Sequence, residues 1–335
     1  MCTVSTVTVT VPGTTANLGP GFDCIGAALT LYNEFQFTRL DTPASSPPEE
    51  IVKITVTGLE ADRVNTDKTN LAYIAFVKLY EQLGQLPPPV HISINLGVPL
   101  ARGLGSSATA IVGGLVGANA LAGSPLSQQE VMLLAIAMEG HPDNVVPALL
   151  GGCRLAASYV ETPQPPLIKG ASREELPPID KGAVNWAICE IPWGANIVPV
   201  VAIPDFELST AEARRVLPVE YSRADAIFNT AHFGLLVHAL QIGNREWLRV
   251  ALQDKIHQPY RQCLIKGYEV VQQAALSSGA YGLVISGAGP TLLAVTDAAA
   301  AESVATAMMD AWRSVGVNPD VRSLSLDCIG AKVHF

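Results

Sequence analysis

The stretch VHISINLGVPLARGLGSSATAIVGGL, residues 90–115, constrains the fold more than any other part of the chain. Val90, Ile92, Ile94 and Leu96 alternate with polar residues, the period of a half-buried strand. A loop carrying Gly103 and Gly105 follows, and small apolar residues of helical character follow the loop. A helix is expected from near Gly105 to about Ala122. Gly113, Gly114 and Gly117 cost it helix propensity, so close packing against that helix is expected to compensate. A glycine loop opening into a helix lets backbone N–H groups converge on an anion, with the positive end of the helix dipole behind them. Gly103 and Gly105 can take positive φ, and Ser106 and Ser107 offer hydroxyls to a phosphate oxygen or a hydrated metal. The loop has no GxxxxGK[ST] lysine, and the chain has no full GxGxxG, HRD or DFG. A Walker loop, a dinucleotide fold and a protein kinase are therefore not indicated.

Around this unit the chain alternates strand and helix signals. Val7, Val9 and Val11, and later Val52, Ile54 and Val56, repeat the strand period. Between 71 and 83 a helix should bury Leu71, Ile74, Ala75, Leu79 and Leu83. Ser127 and Glu130 form a capping box before VMLLAIAM, and Ser209 with Glu212 form a second. Strands are expected at 183–190, in IVPVVAI, YGLVIS and TLLAVT, and near 320–327, with helices over 209–278 and around 299–315. Strands with helices on one side indicate an α+β fold rather than a doubly wound parallel sheet. The segments 41–50 and 161–182, the latter with five prolines, read as exposed connectors.

The net charge of −9, without a Lys/Arg cluster, argues against nucleic acid as a partner. An anionic ligand must meet a local site instead. The weakly polar stretch 108–123 falls short of the ~20 apolar residues of a membrane span, and the first residues lack the basic start and apolar core of a signal peptide. No membrane association and a cytoplasmic location are expected. Cys2, Cys24, Cys153, Cys189, Cys263 and Cys328 show no metal-ligand spacing and are expected as reduced, mostly buried thiols.

Three glycine-bearing motifs occur in order: VPGTTANLGPGFD at 11–23, PLARGLGSSA at 99–108 and SGAGPTL at 286–292. Together they resemble the GHMP family of small-molecule kinases, and the resemblance spans nearly the whole chain. It implies a two-domain fold, with a ribosomal protein S5 domain 2-like N-terminal ATP-binding domain over 1–165 and a ferredoxin-like C-terminal domain over 166–335. It also implies that the loop Pro99, Leu100, Ala101, Arg102, Gly103, Leu104, Gly105, Ser106, Ser107 and Ala108 holds ATP. Ser107 and Glu139 are then the expected Mg²⁺ partners, with Ser106 as a fallback. Gly287, Ala288, Gly289 and Pro290 are expected near the phosphates or the acceptor. The family resemblance, with exposed strand edges, makes a homodimer an expectation as well.

Within that family, ANLGPGFD, EGHPDNVVPALLGG, LSTAEARRVLP and QPYRQCLI resemble the homoserine kinase branch. A selective site for a zwitterionic amino alcohol needs an anion for the ammonium, a cationic fork for the carboxylate and a polar group to aim the hydroxyl. Asp23 can supply the first, and Arg214 and Arg261 the second. Asn17, His141 and Asn144 can orient the hydroxyl and its surroundings. By the resemblance these residues line a site for L-homoserine, with Asn17, Asn144 and Arg261 closest to the chemistry. An asparagine amide cannot accept a proton at neutral pH, so no side-chain base is expected at 144. Asp143 is the competing candidate.

Overall fold

The computed structural model describes residues 5–41, 51–160 and 184–335. Both connectors expected from the sequence, apart from Asp41, fall outside the described residues, as does Cys2. Strand β1 (Thr6–Ala16) runs antiparallel to the long β2 (Ile25–Arg39), which is antiparallel to β4 (Val90–Leu96). Strand β3 (Val52–Gly58) adds parallel to β4. Helix α1 (Leu71–Gln82) connects these two, and α2 (Ser106–Leu121), α3 (Gln128–Glu139) and α4 (Pro142–Leu150) complete the layer against this sheet. Strand β5 (Cys153–Val160) pairs with the start of β2, and β6 (Val184–Ile191) pairs with β5. The far end of the chain returns as β11 (Lys332–His334) and pairs with β1. The boundary expected at 165/166 lies outside the described residues; the strands flanking it, β5 and β6, share this first sheet.

The three glycines of α2 mark where the helix meets the sheet. A Cβ at Gly113 would stand 2.4 Å from the Phe35 ring, one at Gly117 2.2 Å from that of Phe37, and one at Gly114 2.3 Å from the Ala72 carbonyl. The propensity cost is thus exchanged for dense aromatic and helix–helix packing. Helix α1 lies where expected and buries Ala75 and Leu79, with Leu71 and Leu83 packed against the same core, but Ile74 does not turn inward. Ile74 is 43% exposed, while Tyr73, Phe76 and Tyr80 are buried. The aromatics claim the interior because Phe76 stacks on Phe37, with ring centroids 5.5 Å apart, and Tyr73 and Tyr80 flank it. Their larger apolar area outweighs that of a single isoleucine.

The second sheet contains β7 (Val198–Ile203), β8 (Gly282–Ile285), β9 (Leu292–Thr296) and β10 (Asp320–Ser323), all antiparallel, in the order β10-β7-β9-β8. Helices α9 (Tyr268–Ser277) and α10 (Ala301–Ser314) make the crossovers, which gives the βαββαβ ferredoxin-like arrangement. Between β7 and α9 lie α5 (Thr210–Arg215), α6 (Arg223–Ile242), α7 (Arg245–Ala251) and the short α8 (Gln258–Arg261). The fold is α+β, but both faces of this sheet are covered. Val200, Ala202, Leu283, Ile285, Leu292 and Ala294 pack on α9 and α10. Val201, Ile203, Val284, Leu293 and Val295 share a core with α6, α7, the first half of β2 and Leu104. That second core joins the two sheets, and the functional cavity opens along this junction.

Two smaller expectations need correction. Ser127 and Glu130 form the full reciprocal box, but Ser209 only accepts the Glu212 N–H, without a recorded return bond. Among the described cysteines Cys153 is buried and Cys24 half-buried, whereas Cys189, Cys263 and Cys328 are exposed. They stand on an edge strand, a short turn and a loop, where no core reaches them.

Candidate active site

A cavity of about 660 Å³ runs between the loop before α2 and the start of α5. The glycine–serine loop forms one wall. Ala101, Gly103 and Gly105 all have positive φ, and Gly105 stands in the left-handed region as the N-cap of α2, with no side chain to cap the helix. The orphan N–H groups of that helix start are thus left for a ligand. The loop is fixed from behind. Thr14 N–H donates to the Leu104 carbonyl at 3.0 Å, and the Ser286 hydroxyl donates to the Gly103 carbonyl at 2.7 Å. Ser107 Oγ donates to Glu139 Oε1 at 2.9 Å, so the two residues assigned to the metal meet across the α2–α3 gap. A hydroxyl and a carboxylate facing one cavity are the hard oxygen donors that Mg²⁺ takes.

The opposite wall carries the charged residues. Asn17 and Asp23 both have positive φ. Asn17 Oδ1 accepts the Asp23 N–H at 2.7 Å, and Asn17 Nδ2 donates to the Gly287 carbonyl at 2.9 Å, tying the first motif to the third. Arg214 donates to Asp23 through two parallel bonds of 2.8 and 3.0 Å. Arg215 is exposed and does not line the cavity. Arg261 is only 1% exposed. Its guanidinium donates to the Ala213 and Gly287 carbonyls and lies 5.0 Å from the Phe22 ring centroid, with no carboxylate bonded to it. Burial, and then the nearby Arg214, bring the Arg261 pKa down to about 10. Asp23, Asp143 and Asp254 act on it without bonding to it, so its guanidinium can still take an incoming anion.

Asn144 Oδ1 accepts the Thr14 hydroxyl at 2.8 Å and Nδ2 donates to Asp143 Oδ1 at 3.5 Å, which leaves one amide N–H as the donor available to a ligand. His141 Nδ1 lies 2.6 Å from Asp143 Oδ1, whereas Asp143 Oδ2 is buried without a partner. One oxygen of Asp23, one of Asp143 and a ring nitrogen of His141 stand within 4.8 Å of one another. The bond to Asp143 raises the His141 pKa against the opposing effect of burial. A folded value above the unfolded one stabilises the protein fully below about pH 6.5, and the gain fades as pH rises through the folded value. Asp143→Asn is expected to return the imidazole titration, followed by NMR, towards its ordinary value. An unmoved titration would place the cause elsewhere.

Asn17, Asp23, Glu139, His141, Asn144, Arg214 and Arg261 all line the cavity, as do Leu100, Ala101, Arg102, Gly103, Gly105, Ser106 and Ser107. Pro99, Leu104 and Ala108 do not. Leu104 is wholly buried in the core between the sheets and Ala108 in the α2 core. The cavity also continues past the loop into a part that the sequence reading missed. Val64, Leu71, Ile94, Leu96 and Ala110 form an apolar recess there, joined by the exposed Asn65 and Thr69 and by Asn70, which is buried and caps α1. These residues come from four separate segments and share no spacing that a motif could expose.

The chain is similar to known proteins along nearly its whole length. Residues 70–152 match the family described as GHMP kinases N terminal domain, and residues 236–314 match GHMP kinases C terminal. A homoserine kinase of Microchaete diplosiphon is 65% identical over 331 residues, covering 99% of this chain and 98% of that one. One of Trichormus variabilis is also 65% identical, covering 99% of this chain and 100% of its own. The crystal structure of homoserine kinase from Cytophaga hutchinsonii superimposes with a TM-score of 0.82 at 28% identity, over 100% of this chain and 99% of that one. Full-length identity at this level, on a cavity built from the three ordered motifs, places the chain in the GHMP kinase family, among its homoserine kinases.

Proposed function

We infer that the protein transfers the γ-phosphoryl group of ATP to the side-chain hydroxyl of L-homoserine, giving O-phospho-L-homoserine and ADP. The observation that carries this reading is the division of one cavity into two chemistries. A helix-entry loop with free N–H groups lies at one wall, and Asp23, Arg214 and the buried Arg261, which bonds no carboxylate, lie at the other. The first suits a triphosphate and the second a small zwitterion. In this reading the apolar recess at Val64, Ile94 and Leu96 takes the nucleobase.

Ser107 and Glu139 would hold Mg²⁺, which supplies neutralisation of the phosphate charge when bound. Asp23 binds the ammonium, and Arg261 with Arg214 binds the carboxylate. The Asp23–Arg214 pair satisfies both groups before substrate arrives, and an amino acid carrying both charges replaces each contact. Asn144 donates an N–H to the acceptor hydroxyl and turns its lone pair towards the phosphorus. Asp143 is held by His141 through one oxygen and buried at the other, which favours transfer without a side-chain base, the hydroxyl proton passing to a phosphate oxygen or to water. Phosphoryl transfer tolerates this because it rests mainly on placement and charge stabilisation.

The direct test measures ADP release with Mg·ATP against L-homoserine, L-serine, L-threonine, mevalonate and galactose. L-Homoserine is expected to exceed mevalonate and galactose in kcat/KM by at least about 100-fold, because a site with buried charges rejects ligands that leave them unpaired. L-Serine and L-threonine pair the same charges but carry the hydroxyl one carbon closer to them, and are expected to fall behind by about 10- to 100-fold through misplacement of that hydroxyl. Turnover of another acceptor with a flat response to homoserine would overturn the reading.

A further inference from the structure

Arg102 stands in the middle of the phosphate loop, where a cation would ordinarily be read as a phosphate ligand. Its side chain is otherwise engaged. Nε donates to the Pro204 carbonyl at 3.0 Å, and Nη1 to the Leu100 carbonyl at 2.7 Å and to Glu207 Oε1 at 3.0 Å. Nη2 lies 3.2 Å from Glu60 Oε1. Arg63 closes the circle, bonding Glu60 at 3.1 Å and Glu207 through both its terminal nitrogens. Glu60 also accepts the Leu100 N–H at 2.8 Å. Two carboxylates and two guanidiniums therefore alternate in a ring, and each guanidinium is shared between both carboxylates. Pairing with Arg63 first, and with Arg102 after it, holds the Glu207 carboxyl below its ordinary pKa.

The ring joins three parts of the fold that meet nowhere in sequence. Glu60 and Arg63 follow β3, Arg102 belongs to the phosphate loop, and Glu207 immediately precedes Leu208, Ser209 and Thr210, which line the cavity at the start of α5. That helix carries Arg214. A second tie runs alongside, from the Leu208 N–H to the Ala101 carbonyl at 3.3 Å. We propose that Arg102 is a positioning residue: through Glu207 it sets the distance between the phosphate loop and the helix that holds the acceptor. Its nitrogens are bonded within the ring and to backbone carbonyls, so it does not contact phosphate. The role rests on the assignment of the loop to ATP and of α5 to homoserine made above.

A clamp and a phosphate ligand leave opposite kinetic traces. Loss of a phosphate ligand weakens nucleotide binding directly. Loss of a clamp leaves the loop N–H groups in place, still held by Thr14 and Ser286, and misaligns donor and acceptor, where an error of about 1 Å costs on the order of 100-fold in rate. The experiment compares wild type, Arg102→Met, Glu207→Gln and the double variant. Mg·ADP affinity is read by calorimetry, turnover by ADP release, and folding by thermal unfolding. Both single variants are expected to lose about 10- to 100-fold in kcat while the Mg·ADP Kd stays within about threefold. The double variant should lose no more than the worse single one, since both break one connection. A rise of more than tenfold in Kd for Arg102→Met, or unchanged kcat in Glu207→Gln, overturns the proposal. If Arg102→Met does not fold, the nearly isosteric Glu207→Gln decides alone. A wild-type protein inert towards homoserine would instead refute the functional reading, and the Mg·ADP titration would still decide whether Arg102 grips phosphate.

Discussion

Arg261→Met should lower kcat/KM for L-homoserine by about two to three orders of magnitude, mostly through KM. Arg261 is buried, and its charge is not balanced by any bonded carboxylate. In the proposed reading the substrate carboxylate is its partner, and charge-assisted bonds of this kind contribute about 1.5–3 kcal/mol each. Methionine keeps the length and the packing against Phe22 without the charge. The specific check uses 3-aminopropan-1-ol, which is homoserine without its carboxylate. Wild type should discriminate strongly against it, and the variant should discriminate far less. Equal discrimination by both proteins would show that Arg261 does not read the carboxylate. Two backbone contacts, to Ala213 and Gly287, are lost as well, so thermal unfolding must accompany the kinetics.

Gly103→Ala should reduce turnover by at least about 100-fold and destabilise the protein more than Gly84→Ala does. Both glycines have positive φ, at 75° and 64°, where an alanine costs about 1–2 kcal/mol. They differ in surroundings. A Cβ at Gly84 meets nothing within 4 Å, whereas one at Gly103 would lie 2.2 Å from the Ser286 carbonyl oxygen and 2.9 Å from that of Gly289. Those atoms are backbone and cannot rotate aside. The methyl would push the phosphate loop from the 286–289 loop, adding about 1–3 kcal/mol of overpacking. Gly84→Ala thus isolates the conformational cost, and the difference between the variants measures the contact. Equal unfolding temperatures and intact ADP release in Gly103→Ala would mean that the loops separate freely.

Much of this architecture was legible from residue order. The alternation at 90–96, the loop and the small-residue helix fixed the β4–α2 unit, and α2 packs on Phe35 and Phe37 through its glycines. What escaped notice has physical causes. The first half of β2, IGAALTL, is buried on both faces where it joins the two sheets, so it shows no alternation. β11 has three residues and acquires its identity only from pairing with β1. Helix α1 was found with most of its inward face, but Ile74 was placed inward and Tyr73, Phe76 and Tyr80 were not, because aromatic stacking across layers is invisible to periodicity. Among the residues that line the cavity, many of those within motifs were named from the sequence. The apolar recess and the Glu60–Arg63–Arg102–Glu207 ring escaped because their members come from distant segments, and a charge in a loop reads as solvated until its partners are known. Arg102 was assigned to ATP by its motif, and its bonds point elsewhere.

The return of residues 332–334 to β1 has a consequence for biosynthesis. The N-terminal sheet begins to assemble while most of the chain is still on the ribosome. Until residues 332–334 emerge, the flank of β1 at Thr8, Val9 and Thr10 has no strand beside it. A nascent intermediate can therefore recruit a neighbouring chain at that flank, and the late-arriving strand is what seals it.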